Sequence, residues 1–120
     1  MGGLAGERMT IRTTVTDEIY RAAVETAGHL GAPVEVSAAV RALAYELELR
    51  GLAVTLAPAG EGITAAQTLL VDGSDGICVG AAGETGGEHD LGDLLRRNHW
   101  THAHEIVFAP GSLHIKSVAN

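Results

Sequence analysis

A chain of 120 residues supports one hydrophobic core, and 46% apolar content with only 3% aromatics means that Ala, Val, Leu and Ile build it. The formal charge of -7, from 8 basic against 15 acidic residues with Lys116 the sole lysine, argues against nucleic acid as a partner, since affinity for phosphate backbones rests on Lys and Arg. No run reaches the length of a membrane span, the opening from Met1 to Arg12 lacks a signal-like apolar stretch, and Cys78 is the single cysteine. The expectation is therefore a protein without disulfides in the reducing cytoplasm.

Residues 1–14, rich in Gly and then Thr, are expected to form a flexible arm ahead of a single domain over 15–120. Thr16 followed by Asp17 and Glu18 signals a helix start, and Ile19, Ala23, Ala27 and Leu30 recur at helical spacing, which predicts a helix over 17–30. After Gly31 and Pro33, the positions of Val36, Val40, Leu43 and Leu47 predict a second helix that ends near Arg50 and is stopped by Gly51. From Leu52 the period changes. Short runs at 52–57, 64–71 and 77–81 read as strands, separated by turns around Pro58 and at 72–76. A polar glycine loop over 83–88 leads into a third helix at 90–98, with Leu91, Leu94 and Leu95 on its apolar side. Runs at 105–109 and 113–118 flank Pro110 and Gly111 and predict a hairpin in which Glu105 faces Lys116 and Val107 faces His114. The fold class expected from this order is α/β, a mixed sheet flanked by helices.

Two segments carry a family resemblance. The run from Ala22 to Gly31 (AAVETAGHLG) and the run from Ala42 to Leu52 (ALAYELELRGL) resemble the opening of the GxxExxY family of PD-(D/E)XK nuclease-like proteins. Leu69 to Val71, Ile77 to Val79 and Leu113 to Lys116 resemble that family's second, third and closing strands. The resemblance spans about 15–118 and implies a nuclease-like core. It also implies a chemistry in which carboxylates from neighbouring elements hold a divalent cation while a lysine helps activate water.

Each implied catalytic position is replaced here. The motif Gly-x-x-Glu-x-x-Tyr falls on Pro33, Val36 and Ala39, and Glu35, one residue away, would point about 100 degrees elsewhere on a helix. The strand-borne aspartate falls on Thr68 or, with a shift, Gln67, and the Glu-x-Lys that ends the third strand falls on Gly80 and Ala82. Lys116 lies on another strand. The resemblance thus implies a non-catalytic member, and relocated acids at Asp72, Asp75, Glu84 and Glu88 are the alternative source of a divalent-metal site.

Other constellations were weighed beside it. His99, His102 and His104 form the densest set of imidazole ligands, suited to zinc, copper or nickel, with His102 and His104 on one face of an extended chain. The competing reading is that they cap the third helix and open a strand, or sit at a subunit contact. Gly80, Gly83, Gly86 and Gly87 lack the ending of a phosphate-binding loop, and Ser37, Ser74, Ser112 and Ser117 lack a nucleophile motif. Trp100 reads as a packing anchor and Cys78 as a small buried residue. With a core poor in large side chains, self-association is the expected means of stabilisation. The expected function is therefore a structural one, a nuclease-like domain without catalysis that assembles with itself into a homo-oligomer or shell. The alternative is a metal-binding module or a divalent-metal-dependent nuclease that uses the relocated acidic residues. No cofactor is expected beyond such a divalent metal, and a second protein partner stays open.

Overall fold

The computed structural model describes residues 14–30, 34–57, 67–81, 90–110 and 112–119. Among these residues, three helices and five strands follow in the order α1 (Val15–His29), α2 (Val36–Leu49), β1 (Val54–Leu56), β2 (Thr68–Val71), β3 (Asp75–Ala81), α3 (Leu91–Asn98), β4 (His102–Ala109) and β5 (Ser112–Ala119). Of the expected arm only Thr14 is among the described residues.

Thr14 explains why α1 begins two residues before the expected start. Its hydroxyl accepts from the Asp17 amide at 3.1 Å, so Thr14, not Thr16, is the N-cap, and Asp17 and Glu18 occupy the first turn. Along α1 and α2 the predicted apolar spacing is realised: Ile19, Ala22 and Ala23 are buried on the first, Val36, Ala39, Val40, Leu43 and Leu47 on the second. At the end of α2, Arg50 reaches Glu18 of α1 at 3.1 Å, an ion pair that ties the two helices together.

The sheet runs in spatial order β1-β2-β3-β4-β5. The first three strands form an antiparallel meander, β3 and β4 are parallel, and β4 and β5 are antiparallel. A parallel pair needs a crossover connection, and α3 lies within it. The turn between β2 and β3 places both Asp72 and Gly73 at positive φ, 52° and 71°, and the Ser74 amide donates to the Val71 carbonyl at 3.1 Å. This backbone suits the right-handed twist of the flanking strands. The Asp72 carboxylate accepts from the Ala53 amide at 2.8 Å, holding the entry to β1 beside the turn.

Register follows the hairpin prediction, with Glu105 opposite Lys116 and Val107 opposite His114. Strand boundaries differ: β1 is confined to 54–56 of the expected 52–57, β2 begins at Thr68 with Gln67 outside it, β3 begins at Asp75 instead of Ile77, and β4 begins at His102 instead of Glu105. Asp75 and His104, polar residues near the starts of β3 and β4, bond to each other across the sheet at 3.0 Å, so apolar alternation alone marks these two strands too short. Residues 64–66 of the expected second strand, and the glycine loop over 83–88, lie outside the described residues.

Helices cover both faces. One face of the sheet, with Leu69, Val71, Ile77, Val79, Ala81, Ile106 and Phe108, packs under α1 and α2. On the other face, Leu91, Leu94 and Leu95 of α3 pack with Trp100, Cys78 and Ala103. Trp100 is the anchor of this second cluster. Because the chain leaves α3 through His99 in the left-handed conformation, with the Trp100 amide donating to the Leu95 carbonyl at 3.0 Å, the indole is turned back onto the sheet. Gly76 leaves the surface on which the ring lies.

Candidate functional site

The positions implied by the nuclease resemblance do not converge. Val36 is buried where α2 begins, on the α1 and α2 side of the sheet. Thr68 neighbours Leu69, and Gly80 neighbours Val79 and Ala81, all three in that same cluster, so strand alternation directs Thr68 and Gly80 to the opposite side. Ala82 lies outside the described residues, as do Glu84 and Glu88. Of the relocated acids, Asp72 is spent on the Ala53 amide and Asp75 is buried in the sheet. Among the described residues, no group of three or more His, Cys, Asp or Glu is placed to hold a metal ion.

The histidines separate in the same way. His99 closes α3, whereas His102 and His104 share a face of β4 with their rings stacked at 6.0 Å and 11°. Both ring nitrogens of His104 are already committed. Nε2 lies 3.0 Å from Asp75 Oδ2 and Nδ1 lies 2.7 Å from Ser117 Oγ. His102 Nδ1 faces the same carboxylate oxygen from 3.6 Å, beyond hydrogen-bond reach.

Three strands and a helix therefore meet at His104. Asp75 opens β3, His104 stands beside Ile77 in the parallel β3/β4 register, and Ser117 is its antiparallel partner on β5. Tyr20 reaches down from α1, its hydroxyl 2.8 Å from Ser117 Oγ and its ring edge-on to His104 at 6.3 Å. Asp75 and His104 are buried, while Ser117 and Tyr20 are exposed.

The protonation pattern follows from the buried end. Burial by itself would raise the Asp75 pKa. Hydrogen bonds from His104 and Ser74, with the two neighbouring imidazoles, outweigh it and hold the carboxyl below its ordinary value. An ionised carboxylate only accepts, so His104 Nε2–H donates to Oδ2 and Ser74 Oγ–H donates to Oδ1 at 2.9 Å. In the neutral tautomer with its proton on Nε2, the ring presents the Nδ1 lone pair to Ser117, whose hydroxyl donates across 2.7 Å. Tyr20 O–H in turn donates to Ser117 Oγ. Chemically this is a serine hydroxyl on the molecular surface, polarised by an imidazole whose tautomer a buried carboxylate sets.

Sequence reasoning dismissed Ser117 for want of a motif and treated Asp75 as a loop acid. Asp75 and His104 are 29 positions apart and Tyr20 and Ser117 are 97 apart, so no local pattern joins them. The one sequence signal that pointed here was the predicted hairpin, which already places Ser117 opposite His104 by the register that pairs Glu105 with Lys116.

Cys78 offers no nucleophile. It is buried mid-strand beneath α3, and desolvation pushes its thiol up to about 11, with Glu105 adding to the rise and a hydrogen bond with Thr68 opposing it. At pH 8 the native thiol is expected to react with a disulfide reagent at least about 100-fold more slowly than the same chain in denaturant, as thiolate fraction and access both fall. Stopped-flow thiol titration checks this, and equal rates would show that α3 does not seal the thiol.

No helix among the described residues is long and apolar enough to cross a membrane. Comparison with protein-family models, with curated proteins and with solved structures finds no match to this chain.

Proposed function

We propose that this chain is a structural domain on a PD-(D/E)XK nuclease-like scaffold, relieved of phosphodiester chemistry, that assembles with further copies of itself. The observation that carries the reading is the display of large apolar side chains on the outer helical surface. Tyr45 and Leu49, one turn apart on α2, are 65% and 62% exposed, and Val24 on α1 is 63% exposed. Apolar residues paired at helical spacing on an acidic, otherwise polar surface are the composition of an interaction face.

Two further features support it. The sheet ends in β5, an eight-residue edge strand whose one formal charge is Lys116, and at the other side in β1, where Leu56 is 59% exposed. The edge strands of a sheet offer backbone groups to a second copy. Support for the nuclease-like part of the reading comes from the segments that resemble the family's second, third and closing strands. They fall on β2, β3 and β5 of one mixed sheet, while Val36, Thr68 and Gly80 bring no charge to it.

Multi-angle light scattering of the purified chain tests this. A mass well above 12.4 kDa that resists chelator is the expected result. Tyr45→Lys with Leu49→Lys is expected to weaken association by about 30-fold or more, the effect of burying charge where aromatic and aliphatic anchors pack. A monomer at every concentration overturns the assembly reading. Particles that fall apart when metal is removed would replace it with the metal-binding alternative.

A further inference from the structure

The hydrogen-bonded series Asp75, His104, Ser117 and Tyr20 has a direction, and it ends at an exposed hydroxyl. A structural role requires each buried group to be satisfied, which the Asp75 and His104 contacts achieve. It does not require the accepting nitrogen of the ring to face a serine at the surface, nor a second donor on that serine's oxygen.

We propose that Ser117 is an acyl-transfer nucleophile, with His104 as its general base and Asp75 as the positioning residue, acting on small activated carboxylic esters. The geometry is that of a nucleophile within hydrogen-bond reach of a base that a third group orients: 2.7 Å from Ser117 Oγ to His104 Nδ1 and 3.0 Å from His104 Nε2 to Asp75. Ser117 attacks the ester carbonyl carbon as its hydroxyl proton passes to Nδ1. The imidazolium that forms keeps its Nε2–H on the Asp75 carboxylate. The tetrahedral oxyanion accepts from the Tyr20 hydroxyl, which already lies 2.8 Å from Oγ. Collapse breaks the ester C–O bond, and His104 returns its proton to the departing alcohol. Water then attacks the acyl-serine by the same route, releasing the carboxylic acid and restoring the hydroxyl.

The class of substrate follows from position. Ser117 stands on the last strand of the sheet and is exposed, so among the described residues no element beyond β5 selects among acyl groups, and small reactive esters are favoured over long ones. A single oxyanion donor also limits the rate, since each such donor contributes roughly 100-fold or more. This activity involves neither a metal nor the outer helical surface; it requires β5 to stay open, so of the two sheet edges only β1 is left to a second copy.

The test uses the full chain and a fluorophosphonate probe, with labelled residues located by peptide mass. Ser112 is the internal reference, because it is exposed on the same strand but lies opposite Ala109. Ser117 is expected to label about 100-fold faster than Ser112, the usual scale of general-base assistance. Ser117→Ala is expected to remove the burst of p-nitrophenol from p-nitrophenyl acetate. Asp75→Asn separates positioning from stability. Ser74 holds Oδ1 as an acceptor, so the amide nitrogen takes the place facing Nε2, and the ring must move its proton to Nδ1, where it no longer accepts from Ser117. Imidazole nitrogen NMR should show that exchange, and the Ser117 to Ser112 labelling ratio should fall about 10-fold or more with it. Comparable labelling of the two serines in the parent chain overturns the proposal. So does an Asp75→Asn chain whose ring has exchanged tautomers yet labels Ser117 as fast as before.

Discussion

Replacing Gly76 with alanine is expected to destabilise the fold by about 2 to 4 kcal/mol, the range of a forced repacking combined with partial loss of a buried aromatic. A Cβ at this position would overlap the six-membered ring of Trp100, at Cε3 and Cζ3. The ring cannot step aside cheaply. It is 5% exposed and packed among Leu91, Leu94, Leu95, Cys78 and Ala103, and the left-handed turn at His99 sets its approach. The variant must therefore either lift α3 or expel the indole. Because Trp100 is the chain's single tryptophan, both outcomes are visible as a red shift of native emission, and denaturant titration on the same signal gives the loss in stability. A change below about 0.5 kcal/mol, as expected of ordinary surface sites, would mean that the ring does not lie on Gly76.

The second large effect concerns Asp75. Its carboxylate accepts from His104 and from Ser74 inside the sheet, and charge-assisted bonds of this kind contribute about 1.5 to 3 kcal/mol each. Asparagine keeps the shape and the bond from Ser74 but presents a donor to a donor at His104. Asp75→Asn is expected to cost about 2 to 3 kcal/mol at neutral pH, with one of the two bonds lost or inverted.

The pH dependence has a definite sign. The folded-state pKa lies below 3.8, the value in the unfolded chain, so the unfolded state binds the proton first as pH falls. The stabilisation from Asp75 is fully present above 3.8 and is lost as pH drops through the lower, folded value. The parent chain should therefore lose stability as pH falls from 3.8 to the lower, folded value, and the deficit of Asp75→Asn should narrow over that interval. Thermal melts between pH 2.5 and 7 would check this, and parallel curves for the two chains would mean that Asp75 titrates alike in both states.

These two residues also mark the division between what sequence carries and what folding adds. The faces of α1 and α2, the leucines of α3, the turn at Asp72 and Gly73, and the register of the final hairpin were all legible. Each depends on residues within about one turn or one hairpin of each other, where side-chain period and turn chemistry act locally. The start of α1 was misplaced by two residues because Thr14 and Thr16 are both competent caps, and only the hydrogen bond to the Asp17 amide distinguishes them.

The candidate site was not legible as a unit. In sequence His99, His102 and His104 stand as candidate metal ligands beside a structural reading, and neither reading reaches the contacts of the two His104 nitrogens with Asp75 and Ser117. Composition and periodicity determined by themselves an α/β chain with a small-residue core, helices of known faces and a closing hairpin. The parallel crossover that lays β4 against β3, and the packing of α1 across the sheet, decided that Asp75, His104, Ser117 and Tyr20 meet. The physical reason is that an ionised carboxylate, an imidazole tautomer and a polarised hydroxyl acquire their roles from contacts a few ångströms long between residues far apart in the chain, and such contacts have no local signature.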